Sequence, residues 1–172
     1  MKNISLSQEV KTIVRGMVSN AAKFKLEGLT TFLLFDSMMS QKQFSSLIAK
    51  YSSCNLEGII NLIENIYKNN LFGFNEKEVE TIEERDYFIS VLKDSDIDNP
   101  QNFIFSQWIA NVFFFAYILV ESDEEQELTL SHLTLALFNN LNGQMLSFFT
   151  DIGTNIEQLI SQVEYLSLLD SC

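Results

Sequence analysis

Apolar residues recur along this chain at helical spacing, and the whole series occurs twice. Val10, Ile13, Val14, Met17, Val18, Ala21 and Phe24 are separated by threes and fours, which predicts an amphipathic helix over about 7–26. Ser5 followed by Gln8 fits a capping box at its start. Glu27-Gly28 is expected to end it, because glycine tolerates the left-handed cap conformation. Thr30 is placed to cap a second helix. A third, over about 42–51, carries Phe44, Leu47 and Ile48, and a fourth, over 55–68, lines up Leu56, Ile59, Ile60, Ile63 and Ile66. The later part of the chain replays this with helices over 104–121, after Thr129, over 142–150 and, beyond Gly153, over 155–168. Between the copies, Val79, Ile82, Tyr87, Ile89, Val91 and Leu92 predict a helix over about 76–93. Asp94-Ser95-Asp96 and Asn99-Pro100 end it, since a residue before proline avoids the helical region.

The copies align in register. A shift of 99 places Ser7-Gln8 on Ser106-Gln107, Leu29-Thr30 on Leu128-Thr129, Leu34 on Leu133 and Met38 on Leu137. One inserted residue makes the shift 100, and Asn55-Leu56-Glu57 then falls on Asn155-Ile156-Glu157, with Ile63-Glu64 on Val163-Glu164. Apolar-for-apolar matches at helical spacing, in order and with one insertion, point to a duplicated supersecondary unit whose copies bury a shared core. The expected architecture is all-α: a tandem pseudo-twofold repeat of two four-helix units. It forms one domain over 1–172, with repeat one at 5–68, an acidic helical connector at 69–102 and repeat two at 103–170.

Composition agrees. Of 172 residues 47% are hydrophobic, with 15 Phe, so a substantial core is available. One Pro and 6 Gly favour long helices over a turn-rich β fold. A net charge of −12 opposes nucleic-acid binding, which needs Lys and Arg against phosphates, and opposes an anionic membrane surface. Cys54 and Cys172 form no CxxC pair, and the N-terminus has no apolar signal region, so a cytoplasmic setting is expected. Residues 103–120 are nearly all apolar. Ser106, Gln107 and Asn111 interrupt them, no Lys or Arg flanks them, and they align with the amphipathic 4–21; a central helix buried on most sides is expected, not a membrane span.

Reactive chemistry is sparse. His132, the one histidine, has no triad logic around it and reads as a packing or capping residue near a helix start. Cys54 aligns with Thr154, so the fold needs no thiol there. The acids Glu76, Glu78, Glu80, Glu83, Glu84 and Asp86 lack a calcium-loop frame and read as a solvated face. Phe72 and Phe74, around Gly73, either plug the seam between repeats or stand exposed for a partner. With Tyr87 and Phe24, they are the residues offered for protein binding from expected exposure. No catalytic residue, metal ligand or cofactor is expected.

LTLSHLTLALF at 128–138 resembles the I-T-x-E-H-L-L-L-A-L-L segment of the Clp N-terminal domain, the paired repeat at the front of Clp-type AAA+ unfoldases. Phe105-Ser106 resembles the opening of a family repeat, and Gly153, Ile156 and Leu159 resemble the start of its last helix. Ser131 stands where the family has Glu, Leu33 stands where repeat one would have His, and the connector is longer than usual, which marks a divergent member. The resemblance implies a non-catalytic module of about eight helices that recruits substrate or adaptor proteins, or a secretion-system sheath helix, to an unfoldase ring. No G-x-x-x-x-G-K-[ST] motif occurs, so the chain is expected to be either the N-terminal part of a larger unfoldase or a freestanding structural or regulatory module.

Overall fold

The computed structural model describes residues 4–71, 81–122 and 126–170. Repeat one consists of α1 (Gln8–Lys23), α2 (Thr31–Met38), α3 (Lys42–Lys50) and α4 (Leu56–Lys68). The connector holds α5 (Ile82–Asp94) and a 3-10 turn at Pro100–Asn102. Repeat two consists of α6 (Gln107–Ser122), α7 (Leu130–Asn139), α8 (Gly143–Asp151) and α9 (Ile156–Asp170). The all-α fold read from the sequence is the one the chain adopts.

The helix starts match in pairs because their caps do. Ser7 Oγ accepts from Val10 N–H, and its counterpart Ser106 Oγ accepts from Ile109 N–H, each at 3.3 Å. Asn55 Oδ1 accepts from Gly58 N–H at 2.8 Å and Asn155 Oδ1 from Gln158 N–H at 3.1 Å. Each such acceptor satisfies one of the free N–H groups of a first turn. The pairing lapses at α3, where Gln41 makes no side-chain cap bond while Asn142 accepts from Met145 N–H at 3.0 Å.

Two details at α1 differ from expectation. Ser7, not Ser5, is the cap; Ser5 belongs to a short strand, β1 (Ser5–Leu6), and donates its N–H to Gln126 O at 2.9 Å. The helix stops at Lys23, and the left-handed residue is Lys25 at φ 53, with Leu26 N–H returning to Ala21 O at 2.9 Å. Gly28 has no left-handed role; it lies buried in the following loop.

The repeats interlock through their lead-in segments. β1 pairs in parallel with β2 (Glu127–Leu128), which precedes α7, and an isolated bridge joins Leu29, before α2, to Phe105, before α6. Ser7 N–H donates to Leu128 O at 3.0 Å; the counterpart bond, Ser106 N–H to Leu29 O, is 3.1 Å. The flanking side chains of Leu6, Leu29, Phe105 and Leu128 are buried, so these backbone groups are cut off from water and must pair. A second tie joins the α3–α4 and α8–α9 loops: Ser53 N–H donates to Ile152 O, Asn155 N–H donates to Tyr51 O, each at 3.1 Å, and Ser52 and Thr154 hydroxyls meet at 2.7 Å.

Between these ties lies an aromatic core built from both copies. Phe148 of α8 sits edge-on to Phe32 and Phe35 of α2, and Phe35 also meets Phe44 and Phe149. The connector is part of the fold: Phe88 of α5 packs on Phe105 and Phe113. Helix α6 buries Ile109, Ala110, Val112, Phe113, Ala116, Tyr117 and Val120. It is buried on most sides, with Trp108 and Ile118 exposed on its outer face. Among the described residues no helix is long and apolar enough to cross a membrane.

Candidate functional site

The residues offered from the sequence do not converge. Phe72 and Phe74 lie outside the described residues. Phe24, at the C-terminal end of α1, is half-buried and stacks on Tyr67 with centroids 4.2 Å apart. Tyr67 in turn donates to Asp36 Oδ2 at 3.0 Å, and Asn20 Nδ2 donates to the same oxygen at 2.9 Å. Burial lifts the Asp36 carboxyl above its ordinary value, outweighing those two bonds, and burial together with the Asp36 charge holds the Tyr67 hydroxyl far above the usual phenol range. Phe24 is thus the cover of a three-helix clamp. Tyr87 is the clear correction: it is buried at 8% exposure between α5 and α6, against Phe114 and Tyr117. Its place on the inner face of α5 is set by Phe88 and Val91 beside it, so the acidic character of the connector did not carry it to the surface.

His132 is a cap, as its position suggested. Thr129 N–H donates to His132 Nδ1 at 3.3 Å, and the Thr129 hydroxyl lies 2.8 Å from the same nitrogen, which completes a capping box at α7. Cys54 is half-buried just ahead of the α4 cap. Among the described residues no group of three His, Cys, Asp or Glu side chains is placed to hold a metal ion.

One feature among the described residues that can hold a ligand is a cleft of about 280 Å³ between α3, α7 and α9, walled by Phe44, Leu47, Leu130, Ser131, Thr134 and Val163, with Lys50 at its edge. Its origin lies in the broken symmetry of the repeats. With the caps of α2 and α7 in register, Ser131 corresponds to Phe32 and Thr134 to Phe35. Helices α3 and α8 are both 9 residues long; aligned from their first residues, Lys42 and Gly143, an offset of 101 in place of the 99 and 100 on either side, Leu47 corresponds to Phe148. In the first arrangement the three rings fill the space, with centroids 5.3 Å (Phe32 to Phe148) and 5.2 Å (Phe35 to Phe148) apart. In the second, a serine, a threonine and a leucine occupy those positions and the space stays open.

The cleft is suited to apolar side chains. Phe44, Leu130 and Val163 are buried, and the Thr134 hydroxyl already donates to Leu130 O at 2.8 Å, so that hydroxyl is satisfied within α7. A dry apolar cavity of about 150 Å³ accepts a benzene ring, so this cleft has room for an aromatic side chain. Lys50 lies with its Nζ 5.2 Å from the Tyr51 ring centroid and forms no ion pair among the described residues. None of these residues carries a motif. The signal that could have found them was the register itself, in which Phe32 and Phe35 fall on Ser131 and Thr134.

No family model matches the chain, and no curated protein matches it in sequence. Solved structures do match in shape. The N-terminal domain of the caseinolytic protease associated chaperone ClpD from Arabidopsis thaliana aligns with TM-score 0.66 at 13% identity, over 99% of this chain and 97% of that one. The Hsp104 N-terminal domain from Candida albicans aligns with TM-score 0.62 at 13% identity, over 95% of this chain and 91% of that one. The fold is therefore that of the Clp-type N-terminal domain, carried by a widely divergent sequence.

Proposed function

We propose that this chain is a protein-recognition module without a reaction of its own, which seats an apolar side chain of a substrate or adaptor segment in the α3/α7/α9 cleft and so delivers that protein to a Clp-type AAA+ unfoldase. The observation that carries this reading is the cleft itself: the aromatic plug of Phe32, Phe35 and Phe148 at one seam between the repeats is replaced by Ser131, Thr134 and Leu47 at the pseudo-symmetric seam, which leaves an apolar recess open to a partner. A side chain of Phe or Leu size gains about 1.5–3 kcal/mol on full burial, enough to anchor a segment whose remaining contacts are weak. The likeness in fold to N-terminal domains of ClpD and Hsp104 supports recruitment as the role. The engagement of the one histidine as a helix cap supports binding over catalysis.

Refilling the cleft tests it. Ser131→Phe restores the residue that repeat one carries at the matching position. Binding of the chain to an array of short apolar peptides is expected to fall by about tenfold or more, the equivalent of one buried anchor, with the thermal midpoint unchanged or raised. An array that shows no peptide binding by the wild-type chain, or equal binding by the filled variant, would remove this reading.

A further inference from the structure

The open cleft between α3, α7 and α9 has a cation at its rim, and its filled counterpart has an anion. Gln43, Leu47 and Lys50 share one face of α3, spaced by four and three, and all of them line the cleft. Lys50 ends that row, exposed, one turn past the half-buried Leu47. It is the one charged side chain among the described residues that line the cleft. Aligned from the first residues of α3 and α8, Lys50 corresponds to Asp151, which is also exposed. The fold therefore demands neither sign at this position, and the positive one stands at the seam that is open.

The surroundings leave that cation unopposed. The chain has a net charge of −12, yet residues 37–56 contain Lys42 and Lys50 and no acid. Residues 128–150, which include all of α7, contain no Asp, Glu, Lys or Arg. On α9, Glu157 and Glu164 are exposed, and neither lines the cleft. Lys50 forms no ion pair among the described residues and rests its Nζ 5.2 Å from the Tyr51 ring centroid. Charges act over about 8 Å at physiological salt, so remote acids are screened and Lys50 sets the local sign.

Geometry sets what pairs with it. Three residues of helix rise about 4.5 Å, so the charge stands about one to two residues of extended chain beyond Leu47. A lysine takes a carboxylate as a flexible point charge, which suits an Asp or Glu side chain. A chain terminus is held instead by a nest of backbone N–H groups. The first turn of α7, which borders the cleft through Leu130 and Ser131, already gives its third N–H to the Thr129 hydroxyl.

We infer, resting on the reading of this cleft as the binding site, that it selects protein segments whose apolar anchor has an Asp or Glu within about two residues, the carboxylate pairing with Lys50.

The probes are dye-labelled peptides with acetylated and amidated ends, one Phe anchor and flanks of Glu, Gln or Lys. A fourth peptide has Gln before the Phe and ends there with a free carboxylate. Fluorescence anisotropy with the full chain reads the affinities. The Glu-flanked peptide is expected to bind about threefold more tightly than the Gln-flanked one and about tenfold more tightly than the Lys-flanked one, with both gaps closing as salt is raised. Lys50→Glu is expected to reverse the order of the Glu- and Lys-flanked peptides. Ser131→Phe should weaken every peptide about tenfold or more. If Ser131→Phe weakens the Gln-flanked peptide but the wild-type chain binds all flanks equally, or prefers Lys, or keeps its order after Lys50→Glu, the charge rule falls and the cleft stands. A gain confined to the free-carboxylate peptide would overturn the rule in favour of a chain terminus. Binding that Ser131→Phe leaves untouched would remove cleft and rule together.

Discussion

Gly153 shows how much a single residue can be held by the repeat geometry. It sits in the loop between α8 and α9 at φ +64, and a Cβ there would lie 2.7 Å from Ser53 Oγ and 2.8 Å from Ser53 Cβ. Backbone conformation and cross-repeat packing therefore both demand glycine. Gly143 is the opposite case, at the first position of α8 with nothing within 4 Å of a built Cβ. Gly153→Ala is expected to cost about 2 kcal/mol, from left-handed strain plus the clash. Gly143→Ala should be neutral or stabilising by about 0.5 kcal/mol, because it removes backbone freedom only from the unfolded chain. Urea midpoints of the two variants check both values. The sequence placed Gly153 between two helices, as the structure has it, yet its contact with Ser53, 100 positions away, arises only when the two loops meet.

At the scale of elements, the clamp of α1, α2 and α4 on Asp36 gives the repeats different characters. Asp36 corresponds to Leu135 in the other copy, so repeat one carries a half-buried carboxylate where repeat two carries a methyl-bearing side chain. Because burial raises the Asp36 pKa above 3.8, the folded state favours the protonated acid. Stability from this group is complete below the unfolded-state value and is lost as pH rises through the higher folded value. Asp36→Asn keeps an oxygen acceptor for Tyr67 and Asn20 and removes the charge. Relative to the wild type, this variant is expected to gain stability as pH is raised from about 3.8 toward neutrality, in paired urea titrations. A difference between the two that stays flat with pH would show that the clamp holds no buried charge.

For the whole molecule, the ties between repeats imply a single cooperative unit. The lead-in segments exchange hydrogen bonds across the copies, and Phe148 of repeat two packs on Phe32 and Phe35 of repeat one. Neither four-helix set closes its own core. Phe148→Ala is expected to cost about 3–5 kcal/mol through a cavity at the shared centre. Unfolding followed by Trp108 emission, which reports on repeat two, should still coincide with unfolding followed by far-ultraviolet circular dichroism. Two separated transitions would mean that the halves fold as independent domains.

The chain alone determined its helices, their caps and the duplication, because a 3.6-residue apolar period and side chains that satisfy first-turn N–H groups are local properties, readable wherever they occur. It was misleading at Ser5, whose strand partner near Gln126 has no signature in so short a segment, and at Tyr87, whose burial depends on α6 lying beside it. Tertiary structure alone decided the cleft. Leu47, Ser131 and Thr134 come from helices far apart in sequence, and what they form is missing volume, which no single position encodes. It becomes visible only where three helices converge and the symmetric site, filled by Phe32, Phe35 and Phe148, stands beside it for comparison.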